Sequence, residues 1–171
     1  MSRFLLMSQK RSTPPPDHRG VHVWLILMKT FHALYSHAQQ SIAQTQLGDS
    51  EFRILEALLH KGPLPVNAIG PKVWLTPGSI SIAVDRLVRK GLVARRDDVG
   101  DRRVRRVELT AEGRTLITAG FRGHAAAMEQ AVSILSTHER LTLLRLLKKL
   151  GRNAAESVNA SSTLQTLNGK R

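Results

Sequence analysis

The chain has no cysteine. That single absence excludes disulfides, cysteine-ligated zinc and thiol redox sensing, and it fits a reducing, cytoplasmic setting. Long apolar runs are also missing: none approaches the roughly 20 residues that span a bilayer, so no membrane partner is expected. The weak apolar patch Phe4 to Met7 is followed by no small-residue cleavage site, which argues against a signal peptide. There is no glycine-rich phosphate loop, no nucleophile elbow and no acid pair in a convincing frame. An enzyme is therefore not expected, and neither is a cofactor. No internal repeat is found. Acidic residues are scarce, with 13 Asp and Glu against 26 Lys and Arg, for a net charge of +13 over 171 residues.

The positive charge is clustered. Residues 86–106 hold Arg86, Arg89, Lys90, Arg95, Arg96, Arg102, Arg103, Arg105 and Arg106, against Asp97, Asp98 and Asp101. A cluster of this kind points to a polyanion, nucleic acid before an anionic membrane surface. The remaining composition, 42% hydrophobic, is enough for a sizeable core and suggests one domain with extensions.

Apolar spacing gives the elements. Val21, Trp24, Leu25, Met28, Phe31, Leu34, Tyr35, Ala38 and Ile42 recur at helical intervals and predict a long amphipathic helix over 21–47. A helix over 50–60 follows, capped by Asp49 or Ser50, with Phe52, Leu55, Leu58 and Leu59 inward and Glu51 and Glu56 outward. A short helix is expected over 66–70. Thr76 and Pro77 then form a start signal, a hydroxyl cap followed by a proline that needs no N–H partner at the first helical position. Ile80, Val84, Leu87 and Val88 make that helix's apolar stripe, and Lys90-Gly91 its stop. Residues 92–96 and 103–109 read as strands around a turn at 97–100. Because side chains alternate along a strand, the hairpin's base can be apolar while its tip is basic. Thr110 caps a further helix through Ile117, Phe121, His124, Met128 and Leu135. Ser136 and Glu139 stand at capping-box spacing for a last, leucine-rich helix closing at Gly151. A proline-containing arm (1–20) and a polar tail (152–171), expected to be disordered, flank these elements.

The predicted fold class is mostly α with a small β-hairpin wing. A winged helix-turn-helix lobe (48–110) would lie between helices at 21–47 and 111–151. Such a lobe can lay its capped helix in the major groove of double-stranded DNA and its basic hairpin over the adjacent minor groove, where arginine is favoured. The segments Thr76 to Arg96 and Asp101 to Gly113 resemble the winged-helix domain of the multiple antibiotic resistance regulator (MarR) family. The second matches the family's wing signature at Asp101, Arg103, Leu109, Thr110 and Gly113. The resemblance covers about residues 21–150.

The resemblance implies a transcriptional regulator, more often a repressor than an activator, that acts as a homodimer on a pseudo-palindromic operator. It implies that Arg103 enters the minor groove, oriented by Asp101. Thr76, Pro77, Gly78, Ser79, Ser81 and Arg86 would face DNA, with Arg102 and Arg105 in the wing. Arg86 has an alternative as an internal partner of Asp85 or Asp97. The large apolar groups on the first and last helices independently suggest an interface with a second copy. The family resemblance further implies release by a small aromatic or phenolic effector, for which His22, Trp24, Met28, His32 and Tyr35 are candidates, with core or dimer packing as the alternative. The seven histidines do not cluster as ligands, and no metal is expected. A non-specific, nucleoid-type DNA-binding protein without an effector is the competing reading.

Overall fold

The computed structural model describes residues 18–97, 100 and 105–168. The proline arm, apart from its last residues, therefore lies outside the described residues. The chain divides into two units, up to Ser36 and from His37 onward. The described elements run in the order α1 (Arg19–Ala43), α2 (Asp49–Lys61), β1 (Leu64–Pro65), α3 (Val66–Val73), α4 (Pro77–Arg89), β2 (Val93–Asp97), β3 (Arg105–Leu109), α5 (Ala111–Ala131) and α6 (Thr137–Asn168).

The core of the second unit is built on α2. Phe52, Ile54, Leu55 and Leu58 are at most 1% exposed, and α3, α4, β3 and α5 all pack on this helix. The opposing faces supply Ile69, Ile80, Ala83, Val84, Leu87, Val107 and Ile117. Each of the larger of these side chains contributes about 1.5–3 kcal/mol on burial. The strands form an antiparallel sheet in the order β1-β3-β2, with Val93 opposite Leu109 and Arg95 opposite Val107. The two-residue strand β1 was not expected. It pairs Leu64 with Val107 at the sheet edge, where Pro65 is tolerated.

Several expectations are corrected. The long first helix ends at Ala43 rather than 47, and Gln46 beyond it takes a left-handed backbone, φ 58°. The N-cap of α2 is Gly48, not Asp49 or Ser50. Asp49 lies inside the helix and pairs with Arg53 at 2.6 Å. Glu51, assigned to the outer face, is buried, because it reaches back to accept the Gly48 N–H at 2.9 Å. Val88 is 37% exposed, and Ala83 fills the core position instead. The last helix does not stop at Gly151. It continues through the polar segment expected to be disordered, as far as Asn168, because Gly151 is followed by helix-compatible residues with no proline.

The other caps form as the spacing required. Thr76 Oγ1 accepts the Ser79 N–H at 3.2 Å, Thr110 Oγ1 accepts the Gly113 N–H at 3.0 Å, and Glu139 Oε2 accepts the Ser136 N–H at 2.8 Å. Thr110 also donates its hydroxyl to the Gly91 carbonyl at 2.7 Å, which ties the start of α5 to the turn after α4. Gly113 makes this closure possible. A Cβ there would overlap the Leu92 carbonyl oxygen, and backbone cannot give way as a flexible side chain can. Gly113→Ala is expected to cost about 3 kcal/mol, a fall of roughly 10 °C in Tm. Thermal denaturation followed by circular dichroism checks this, and an unchanged Tm would show that the approach of α5 to the wing base is not fixed.

Candidate nucleic-acid interface

The exposed side of α4 is a low polar surface with one cation per turn toward its end. Thr76, Pro77, Gly78, Ser79, Ser81, Ile82, Asp85, Arg86 and Arg89 are all exposed, while Ile80, Ala83, Val84 and Leu87 anchor the opposite side. The serine hydroxyls are folded back: Ser79 Oγ lies 2.8 Å from Thr76 Oγ1, and Ser81 Oγ donates to the Pro77 carbonyl at 3.2 Å. The first turn of α4 itself carries only small side chains and a proline, and the positive end of its dipole is exposed.

Among the described residues, Asp85, Asp97 and Glu108 are paired with particular arginines. Arg95 of β2 binds Asp85 of α4 at 2.5 Å, Arg96 binds Glu108 at 2.8 Å, and Arg105 Nε lies 3.1 Å from Asp97. Arg106 donates to the Pro63 carbonyl at 3.2 Å. Asp85 and Asp97 are thus taken by Arg95 and Arg105, not by Arg86. Among the described residues the Arg86 side chain makes no hydrogen bond or ion pair, though its charge acts on Glu51, and it remains exposed on α4. Arg105 stands at the outer end of β3, two residues from buried Val107, as strand alternation required. Asp101, Arg102 and Arg103, the expected wing-tip residues, lie outside the described residues.

The far end of α4 is fastened to α2. Lys90 Nζ meets Glu51 Oε2 at 2.7 Å, and the same carboxylate oxygen holds the Gly48 N–H. Burial raises the Glu51 pKa, but the Lys90 hydrogen bond, the Gly48 N–H and the charges of Lys90 and Arg86 outweigh it and hold the carboxyl below its ordinary 4.5. Nothing in the sequence pattern singled out this pair, because its members lie 39 residues apart.

The residues proposed for an effector pocket all lie on α1. Trp24 is 61% exposed, His22 and His32 are exposed, and Met28 and Tyr35 are half-buried. Phe31 stacks on Tyr35 at 5.5 Å and meets the edge of His32 at 5.9 Å. A cavity of about 740 Å³ opens elsewhere, among Asn67, Pro71, Trp74, Pro77, Ile80 and Arg105. Two histidines have structural roles. His124 Nδ1 lies 2.8 Å from Ser41 Oγ, with its ring on Phe52, and His60 meets the edge of Phe121. Among the described residues no group of three or more ligands could hold a metal ion, and no helix is long and apolar enough to cross a membrane.

A capped, small-residue helix beside a basic antiparallel hairpin, on a core of three further helices, defines a winged-helix DNA-binding protein. The profile of the MarR family matches residues 47–104. The chain is 33% identical over 141 residues to the HTH-type transcriptional regulator MhqR of Bacillus subtilis, covering 82% of this chain and 97% of that one. It is 27% identical over 132 residues to the HTH-type transcriptional repressor MdtR of the same organism, covering 77% and 85%. Among solved structures, Bordetella bronchiseptica BpsR, whose DNA binding is regulated by 6-hydroxynicotinic acid, superposes with a TM-score of 0.70 at 24% identity over 80% of this chain and 98% of that one. The chain belongs to the MarR family: it is a DNA-binding transcriptional regulator, not an enzyme.

Glu51→Gln is expected to lower stability by about 2 kcal/mol at neutral pH, the scale of hydrogen bonds made by a charged group. A carboxyl with a depressed folded-state pKa contributes fully above its unfolded value and loses that contribution as pH falls through the folded one. The wild type should therefore lose stability below about pH 4.5 more steeply than the variant. Urea unfolding across pH 3–7 tests both, and parallel acid limbs would show that the carboxylate is not held by Lys90.

Proposed function

We propose that the protein is a homodimeric, effector-released repressor that binds a pseudo-palindromic operator. The observation that carries the DNA half of this reading is the exposed face of α4. It combines a small-residue start, folded-back serines and Arg86 unpaired among the described residues. On this reading α4 enters the major groove. Arg86 supplies a bidentate donor for guanine, and Ile82, 55% exposed, an apolar contact for a thymine methyl. Arg105 and the wing-tip arginines Arg102 and Arg103 reach phosphates and the minor groove, with Asp101 orienting Arg103.

The dimer rests on exposed leucines. Leu141, Leu143, Leu144, Leu146, Leu147 and Leu150 of α6 are 39–62% exposed, and α1 exposes Val21, Trp24, Leu25 and Phe31. So many large apolar groups on two helices exceed what a soluble single chain leaves in water, and a second copy is the simplest cover. Repression follows if the bound dimer excludes the transcription machinery, and the repressor relative MdtR supports that sign. Effector release is supported by the aromatic and imidazole side chains of α1 and by the ligand-regulated DNA binding of BpsR, which shares the fold.

Selection of bound fragments from genomic DNA at physiological salt is expected to return a pseudo-palindrome preferred over random DNA by roughly 10³ or more. Recovery of unrelated fragments only, with binding that vanishes as salt rises, would leave a non-specific DNA-binding protein. Arg103→Ala should reduce the slope of log affinity against log salt by about 0.9. Arg86→Ala should cost about 1–3 kcal/mol on the operator and little on random DNA. Leu144→Glu should yield a monomer by light scattering. A dimer would place the interface elsewhere.

A further inference from the structure

Trp74 occupies the turn between α3 and α4, and two observations there call for an explanation. Its side chain is 89% exposed, among the most exposed large apolar side chains of the described residues. Its backbone is left-handed, φ 57° and ψ 43°, at the C-cap of α3, where its N–H bonds to the Gly70 carbonyl. That position favours glycine or asparagine, and a bulky residue there is strained. The core gains nothing from the indole. Folding alone would place a glycine at this turn.

The surroundings of Trp74 are basic. Lys72 is exposed two residues before it, and Arg105 lines the same cavity from β3, together with Pro71, Pro77 and Ser81. The turn itself is braced from behind, since Arg53 donates to the Val73 carbonyl at 3.2 Å. Two residues beyond Trp74, Thr76 caps α4, whose first N–H groups are the positive end of its dipole. An exposed indole set among cations and a helix start, on the side that carries Ser81 and Arg105, fits an anionic polymer with apolar sugar faces.

We infer that Trp74 is a DNA-backbone contact: its ring packs on deoxyribose and its Nε1–H donates to a phosphate oxygen beside the start of α4. The inference rests on α4 being the DNA-reading helix. The contact positions the protein and carries no sequence information, as backbone contacts do in general. It also differs from an arginine contact in a measurable way. A neutral donor releases no counterion, so its loss lowers affinity without changing the salt slope.

The test uses the full chain and compares Trp74→Gly and Trp74→Phe with the wild type on operator and random duplexes over a salt series. The expected result for Trp74→Gly is an affinity about tenfold weaker on both duplexes, the scale of a hydrogen bond to a charged group, with the salt slope unchanged. Its Tm should be equal to the wild type's or higher, because glycine relieves the left-handed strain. Trp74→Phe should keep the ring, lose the N–H and fall between. The acrylamide-quenchable emission present in the wild type and missing from Trp74→Phe should become protected when DNA is added. Wild-type affinity in both variants, or a Trp74-dependent emission (wild type minus Trp74→Phe) still quenchable in the complex, would overturn the contact and assign the exposed ring to a different partner. A weaker affinity accompanied by a lower Tm would reduce Trp74 to a structural residue. Failure of the wild type itself to bind any duplex would instead sink the DNA-reading role of α4, an outcome distinct from these.

Discussion

The winged lobe depends on the burial of α2. One short helix presents Phe52, Ile54, Leu55 and Leu58 to four neighbours, and each neighbour turns its polar side away from them. The exposed face of α4 is exposed because Ile80, Ala83, Val84 and Leu87 are committed to this core. The wing is aimed because Val107 of β3 is buried in the same core while Arg105, two residues along, is not. Reading face and wing therefore hold a fixed relation set by apolar packing. The Asp85–Arg95 pair adds a direct polar link between α4 and β2. Interiors packed at crystal density resist gradual deformation, so the geometry presented to DNA is preorganised.

Charge pairing refines what packing sets. On the proposed reading α4 faces DNA, where an unpaired acid would repel phosphate, and Asp85 is exposed on that helix. Its pairing with Arg95 neutralises it locally and pins β2 to α4. The same logic applies to Asp97 with Arg105 and to Glu108 with Arg96 along the hairpin. These are exposed pairs, each contributing under about 1 kcal/mol to stability, so their main effect is on side-chain placement. Glu51 is different. It is buried, it holds both Lys90 and the Gly48 N–H, and it fixes the C-terminal end of α4 to the start of α2. Set at one end by Thr76 and at the other by Lys90, α4 has little freedom to tilt.

The sequence made visible whatever is local. Thr76-Pro77, Thr110 with Gly113 and Ser136 with Glu139 announce helix starts within four residues, and all three caps form. The order of helices and the hairpin was legible from periodicity, because each buried stripe repeats at its own element's spacing. What escaped depends on distant partners. Glu51 looked solvent-facing on a helical wheel, and only the folded chain shows it reaching Gly48 and Lys90. Strand β1 is two residues long and carries a proline, too short for any alternation to register. The continuation of α6 past Gly151 was missed because a glycine after two lysines has the composition of a stop. Of the candidate site, the α4 residues were named from the helix-start signal and the family resemblance, and Arg105 from strand alternation and the same resemblance. The exposed Trp74 was not singled out, because a single aromatic in a turn belongs to no periodic stripe.

The leucines of α6 carry the proposed dimer beyond solubility. One winged lobe offers a helix face, a hairpin and a turn, and such a contact is small and salt-sensitive. Joining two lobes through rigid helices makes the second lobe's binding intramolecular, which multiplies affinity without any new contact type. It also makes the spacing of half-sites a condition of binding, since the lobes then sit at a fixed separation. A side chain that changed the angle of α1 or α6 would alter that separation and release both half-sites together.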